Sequence, residues 1–309
     1  MEVARFCEQR LPREIARGSS ADPSGALVAA FNRMDDLLSR ETPECDLRPF
    51  SDGVALRRCT GRELGCGWPG GGVLAQLGLE PKVVSPDWVG CTCIVCLVRA
   101  DTIIVANAGD SRAVLSRGGK AVPLSEDHKP NLPIESERIH KAGGCVVRQQ
   151  VGSTVQFRVN GNLNLSRSIG DLQYKKNSEL SAGEQMICST PDVQTFKREA
   201  DDEFLLLACD GVWDVLSNQD AVDFVHKRLK QYLQTRRPLS GIMEDMLDYC
   251  ISPDLAATNG LGGDNMTAVL VLFCGTGQGA TPGSTAALYH SILEDATVTP
   301  AGLCSCSRS

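Results

Sequence analysis

No run of about 18 apolar residues occurs along the chain, so the sequence offers no candidate membrane-spanning helix. The opening Met1-Glu2-Val3-Ala4-Arg5-Phe6 lacks the basic start and apolar stretch of a secretory signal. Basic residues do not cluster: Lys175-Lys176 and Arg236-Arg237 are isolated pairs, and the net charge is −7. A nucleic-acid backbone demands clustered lysine and arginine, which argues against nucleic acid as the main partner. No Gly-Lys-Ser/Thr follows the glycines between Gly65 and Gly72, and no strong strand precedes them, which speaks against a phosphate cradle there. Asp201-Asp202-Glu203 and Asp210 to Asp214 lack the alternating ligands and closing glutamate of an EF-hand, so a calcium-binding structural protein fits poorly. No internal repeat is visible.

Cysteine is abundant, with 14 residues, yet it makes no metal frame. Cys91, Cys93 and Cys96 sit in an apolar run, where a thiol acts as a small hydrophobe. Cys145, Cys188, Cys209 and Cys274 also have apolar neighbours, and Cys304 and Cys306 lie in a serine-rich end. Cys59 and Cys66 have no paired histidine or second close cysteine pair to complete a zinc site. Without a signal sequence these read as reduced thiols of an intracellular protein, cytoplasmic or nuclear.

The 309 residues, 42% apolar and 22% charged, suffice for a sizeable core. Residues 2–17 read as a helix. Residues 24–38 read as a second, amphipathic one, with Leu27, Phe31, Met34 and Leu38 on one face and Ser24 as its N-cap. Residues 40–88, with Pro43, Pro69, Pro81, Pro86 and Gly70-Gly71-Gly72, read as an irregular insertion. Cys93 to Val98, Thr102 to Ala106, Phe204 to Ala208 and Thr267 to Phe273 are short apolar runs suited to strands buried on both faces. Glu135 to Ala142 predicts a helix stopped by Gly143-Gly144. Ser217 and Asp220 open a helix over 218–233, and 241–251 form another. Strand runs followed by helices favour an α+β fold. Beyond Phe273 the periodicity fades into a weakly ordered tail.

Three apolar strands meet an aspartate at one end. Thr102 to Ala108 leads into Gly109-Asp110, Phe204 to Ala208 into Cys209-Asp210-Gly211-Val212-Trp213-Asp214, and Gly263-Asp264-Asn265 precedes the last strand. A carboxylate beside a buried strand is costly unless it is paired, hydrogen-bonded or metal-bound. Oxygen ligands without histidine or cysteine point to hard cations, Mg²⁺ or Mn²⁺. Several converging aspartates suit a multi-metal centre that activates water against a phosphoryl group. Ordinary Asp-Gly turns give the same pattern, and the residues alone do not choose.

A longer series of motifs does choose. Gly90-Cys91-Thr92, Ala106-Asn107-Ala108-Gly109-Asp110-Ser111-Arg112-Ala113, Asp127-His128-Lys129-Pro130, Glu137-Arg138-Ile139 and Ala142-Gly143-Gly144 follow one another in order. Arg158-Val159-Asn160-Gly161, Leu165-Ser166-Arg167-Ser168-Ile169-Gly170-Asp171, Ala208 to Val215 and Gly263-Asp264-Asn265-Met266-Thr267 continue the series. Over about 90–275 the chain resembles the PPM (type 2C) metal-dependent serine/threonine phosphatases. The resemblance implies two packed antiparallel sheets flanked by helices, a phosphatase domain over 1–275 and a tail over 276–309. It implies hydrolysis of phosphoserine and phosphothreonine in proteins by a metal-activated water, by a monomer that needs neither nucleic acid nor membrane. It assigns Asp210 and Asp264 to a centre of two Mg²⁺ or Mn²⁺ ions, and Asp110 and Asp214 to a third, weaker site. It gives Arg167 and Asp171 a structural role and identifies no catalytic side chain beyond the metal ligands. His128 reads as part of a structural turn rather than a general base, Lys129 and Arg148 as solvated charges, and Trp213 as core packing.

The resemblance also exposes a gap. The family's Asp-Gly-His-Gly-Gly motif, source of the aspartate that bridges both metals, occurs nowhere in the 309 residues. Asp52-Gly53 is followed by Val54-Ala55 and is a poor substitute. As written, the polypeptide is expected to be inactive or strongly impaired, and marginally stable. Two accounts fit: a longer active protein read from an internal methionine, or a pseudophosphatase that binds phosphoproteins or other partners.

Overall fold

The computed structural model describes residues 2–40, 85–151, 154–273 and 303–308. Cys59, Cys66, Asp52-Gly53, the Gly65 to Gly72 run and most of the expected insertion lie outside the described residues. Among the described residues, no helix is long and apolar enough to cross a membrane.

Helices α1 (Glu2–Arg17) and α2 (Pro23–Arg40) open the fold. They lead to strands β1 (Gly90–Cys91), β2 (Cys93–Val98), β3 (Thr102–Ala108), β4 (Arg112–Arg117) and β5 (Lys120–Pro123). Helix α3 (Pro133–Lys141) is followed by β6 (Val146–Val151), β7 (Thr154–Val159), β8 (Ile169–Gly170), β9 (Asp192–Lys197) and β10 (Asp202–Ala208). A short α4 (Asp210–Trp213), then α5 (Asn218–Thr235) and α6 (Ser240–Cys250), precede β11 (Met266–Leu272) and β12 (Leu303–Arg308). One sheet has the order β12-β11-β10-β4-β5 and a second β2-β3-β9; β1 pairs with β8 and β6 with β7. All these pairings are antiparallel.

The strand period of two explains the layering. From β3, Ile103 and Val105 pack with Ala113, Leu115 and Leu205 between the two sheets. The alternate residues Ile104, Ala106 and Ala108 meet Phe6, Leu27, Phe31 and Met34 of α1 and α2. On β10 the same alternation sends Phe204, Leu206 and Ala208 to the other outer face, against Val225, Leu229, Met243 and Leu247 of α5 and α6. The central strands are therefore buried on both faces, in a helix–sheet–sheet–helix stack. Each fully buried leucine or phenylalanine contributes about 1.5–3 kcal/mol relative to exposure.

One expectation is corrected. Ser24 does not cap α2: Asp22 accepts the Gly25 N–H at 2.9 Å, because a helix that begins on Pro23 takes its cap from the preceding residue. Within the expected tail, Leu303–Arg308 runs antiparallel to β11 with Ser305 opposite Val269. Backbone hydrogen bonding needs no apolar pattern, so a Ser/Cys run can form an edge strand without advertising it.

Candidate functional site

Strand register decides where the acids fall. Ala208 of β10 pairs with Arg112 of β4 on one side and with Ala268 of β11 on the other. Asp110 lies just before Arg112, Asp210 just after Ala208, and Asp264 just before β11, so all three emerge at the same edge. Asp214 follows one helical turn later, its N–H donating to the Asp210 carbonyl at 2.8 Å. Asp210 and Asp214 feel the charges of the neighbouring acids. Burial, with the charges of Asp110, Asp264 and Asp214, pushes the Asp210 carboxyl up to about 6. Burial also raises Asp214, with Asp110 and Asp264 adding to it and Lys129 opposing.

Asp110 is 2% exposed, and the Lys129 ammonium donates to its Oδ2 at 2.5 Å. Burial alone would lower the Lys129 pKa, yet the Asp110 charge and hydrogen bond outweigh it and raise the pKa above the usual lysine value. Lys129 is thus a member of the rim and not a solvated surface charge. Sequence could not reveal this, because the β4–β5 hairpin separates the two residues along the chain and only folding returns Lys129 to Asp110. Arg148, by contrast, is exposed as expected.

Glycine permits two close approaches. Gly109 has φ 121°, and a β-carbon there would lie 2.5 Å from the Thr92 methyl carbon. A β-carbon on Gly211 would lie 2.6 Å from the Asn265 carbonyl oxygen, so the Asp210 turn is pressed against the segment carrying Asp264. Beneath that turn the Trp213 indole donates to the Ala208 carbonyl at 2.7 Å, as its expected core role requires. Arg112 stacks over the Trp213 ring at 5.3 Å and grips Asp127 through two bonds of 3.0 and 2.9 Å.

A buried ionic chain, which sequence reasoning missed, fixes the Asp110 turn from behind. Glu135 is 2% exposed. Its Oε1 accepts from Arg167 Nε and Nη2 at 3.0 and 2.6 Å, and its Oε2 from Arg138 and Ser166 at 2.7 and 2.6 Å. Despite its burial, these arginines hold the Glu135 carboxyl below the usual range. Arg167 continues to Asp192 at 2.6 Å, and Asp192 accepts from His128 Nε2 at 3.1 Å. Hydrogen bonding to His128, then the Arg167 charge, holds Asp192 well down. With Nε2 donating, Nδ1 accepts the Gly109 N–H at 3.2 Å. His128 is 3% exposed and occupied on both nitrogens, which suits a brace and not a general base. Asp171, at φ 49°, accepts from Ser168 at 2.6 Å and closes the turn after β8. Arg167 thus bonds Glu135 and Asp192, and Asp171 bonds Ser168.

The rim suits a hard dication in donor type and in its shortage of positive charge. It does not close around one unaided: among the described residues, no three aspartate, glutamate, histidine or cysteine side chains converge as a ligand group. Cys209 adds a thiol that accepts the Thr267 N–H at 3.2 Å and serves the backbone. Among the described residues, most cysteines are buried or half-buried in apolar surroundings, with burial pushing Cys96 up to about 12, while Cys145 is exposed.

Comparison with known proteins agrees with this architecture. The profile of the family described as "Protein phosphatase 2C" matches residues 76–258. "Probable protein phosphatase 2C 58" of Oryza sativa subsp. japonica is 39% identical over 288 residues, covering 88% of this chain and 72% of that protein. "Protein phosphatase 1G" of Homo sapiens is 45% identical over 198 residues, covering 63% of this chain and 35% of that protein. Among solved structures, the "serine-threonine phosphatase 2C from Toxoplasma gondii" aligns with TM-score 0.51 and 20% identity over 88% of this chain and 79% of that one. The "C.elegans sex determining protein" aligns with TM-score 0.60 and 21% identity over 88% of this chain and 53% of that one. At these identities the two structures speak for the fold alone. The sequence matches reach further: with relatives this similar over most of its length, the chain belongs to the protein phosphatase 2C family of serine/threonine protein phosphatases.

Proposed function

We propose that the acidic rim serves hydrolysis of phosphoserine and phosphothreonine in proteins, with Mg²⁺ or Mn²⁺ held by Asp210 and Asp264 and a weaker ion by Asp110 and Asp214. The observation that carries this reading is the register of β4, β10 and β11, which delivers carboxylates from three distant stretches to one edge. A bound dication would supply a water of lowered pKa and would neutralise charge on the phosphoryl oxygens. The protein's own part is to orient. Gly109 and Gly211 let the acid-bearing turns pack closely, Lys129 offsets part of the carboxylate charge, and the Glu135–Arg167–Asp192–His128 chain holds the Asp110 turn.

A second reading is binding of phosphoproteins without turnover. It is favoured by the rim's failure to close into a ligand group and by the ammonium already seated on Asp110. Phosphate release from a phosphothreonine peptide, followed with and without Mn²⁺, separates the two. Slow Mn²⁺-dependent release that disappears in Asp210→Asn and Asp264→Asn supports hydrolysis. Peptide binding without release at any Mn²⁺ concentration supports the binding module and overturns the first reading.

A further inference from the structure

Cys7 of α1 and Cys91 of β1 face one another. Val3 and Cys7 are four residues apart and share a helix face. Val3 packs against Gly170, with its Cγ1 lying 3.3 Å from where a β-carbon would stand, and Gly170 pairs with Gly90, the neighbour of Cys91. Cys7 stands one helical turn further along that face, on the side of the helix that packs toward β1. The two thiols lie in the same apolar cluster and line the same cleft of about 610 Å³, together with Cys93 and Leu11. Both are free thiols, Cys7 being buried and Cys91 half-buried. The neighbouring Cys91 thiol, then burial, raises the Cys7 pKa far above that of an ordinary thiol.

We propose that Cys7 and Cys91 form a reversible disulfide site, oxidised by a hydroperoxide that enters through the cleft. Cys91 is the more accessible of the pair, and as its thiolate it attacks the peroxide. A sulfur–oxygen bond forms and the oxygen–oxygen bond breaks, which gives a sulfenic acid and releases one oxygen as water. Cys7 then attacks the Cys91 sulfur. The sulfur–sulfur bond forms, the sulfur–oxygen bond breaks, and the departing hydroxide takes the Cys7 proton as a second water. Two thiols lose two electrons and one hydrogen peroxide becomes two waters. Cys7, being buried, is shielded from the entering peroxide, which makes it the resolving partner and not the first to react.

Cys93 does not compete for the bond. Extended backbone carries residues two apart about 6.6 Å along the strand with parallel side chains, so their β-carbons stand well beyond the roughly 3.5–4.5 Å that a disulfide spans. The bridge would close the long loop from α1 to β1 and pin the helix beside Thr92. The Thr92 hydroxyl meets that of Ser111 at 2.8 Å, immediately after Asp110. Oxidation therefore tightens a segment that abuts the rim while touching none of its carboxylates.

The test is peptide mapping of the intact 309-residue chain after graded hydrogen peroxide and alkylation of remaining thiols. The expected result is a dominant peptide pair linked through Cys7 and Cys91, loss of two alkylatable thiols per chain, reversal by dithiothreitol, and a higher melting temperature of the oxidised form. Cys7→Ser and Cys91→Ser should each abolish the linked pair, whereas Cys96→Ser should leave it. Mapping of the unsubstituted chain decides the matter if a variant folds poorly. Recovery of both residues as alkylated thiols, a Cys91–Cys93 link, a link between two chains, or Cys91 carried on to sulfinic acid would each overturn the proposal.

Discussion

Lys129 places its ammonium 2.5 Å from the Asp110 carboxylate. The pair joins the turn before β4 to the turn before α3 and partly offsets the carboxylates gathered around Asp210. Lys129→Met would leave a 2%-exposed carboxylate unpaired, at a cost of about 3 kcal/mol, the lower end for a pair whose lysine still touches solvent. Thermal melts should show the loss at neutral pH, and added Mn²⁺ should recover part of it. Recovery would be absent if Asp110 faced no cation site.

Gly211 offers a way to disturb the rim without removing a ligand. Gly211→Ala would thrust a methyl group toward the Asn265 carbonyl and separate Asp210 from Asp264. Overpacking of this kind costs about 1–3 kcal/mol. Mn²⁺-dependent phosphate release should fall at least tenfold while circular dichroism at room temperature stays unchanged. Undiminished release would mean that the two acids do not act together.

Glu135 is saturated by two arginines and a serine, so Glu135→Gln would strand positive charge in a buried place and cost about 3 kcal/mol. Its carboxyl, like that of Asp192, titrates below the ordinary range, which sets a sign. A depressed acid contributes stability above its unfolded pKa, about 4, and loses that contribution as pH falls through the lower folded value. The melting-temperature gap between the parent chain and Glu135→Gln should be full at pH 7 and shrink below about pH 4. A gap that stays constant down to pH 2 would show that the carboxylate charge is not what matters.

Much of this arrangement was legible in the residues. The apolar runs that became β2, β3, β10 and β11 were visible because strands buried on both faces must be apolar at successive positions. Asp110, Asp210 and Asp264 stood out because glycine adjoined each acid at a strand end. Lys129 was misread because no sequence pattern tells which of two turns a lysine will lean towards. Glu135 was overlooked because a glutamate in the first turn of a helix looks like a solvated charge favoured by the helix dipole. Ser24 lost the cap to Asp22 by a shift of one proline, and β12 escaped notice because its residues are small and polar.

Of the chain's three tryptophans, Trp88 is 71% exposed, Trp68 lies outside the described residues, and Trp213 is 7% exposed. Trp213 occupies the single turn whose two ends are Asp210 and Asp214, under the guanidinium of Arg112. The fold has thus set an optical gauge directly below its acids. An ion arriving above the indole would alter the field across the ring, and emission selected for the buried fluorophore would register occupancy without any label.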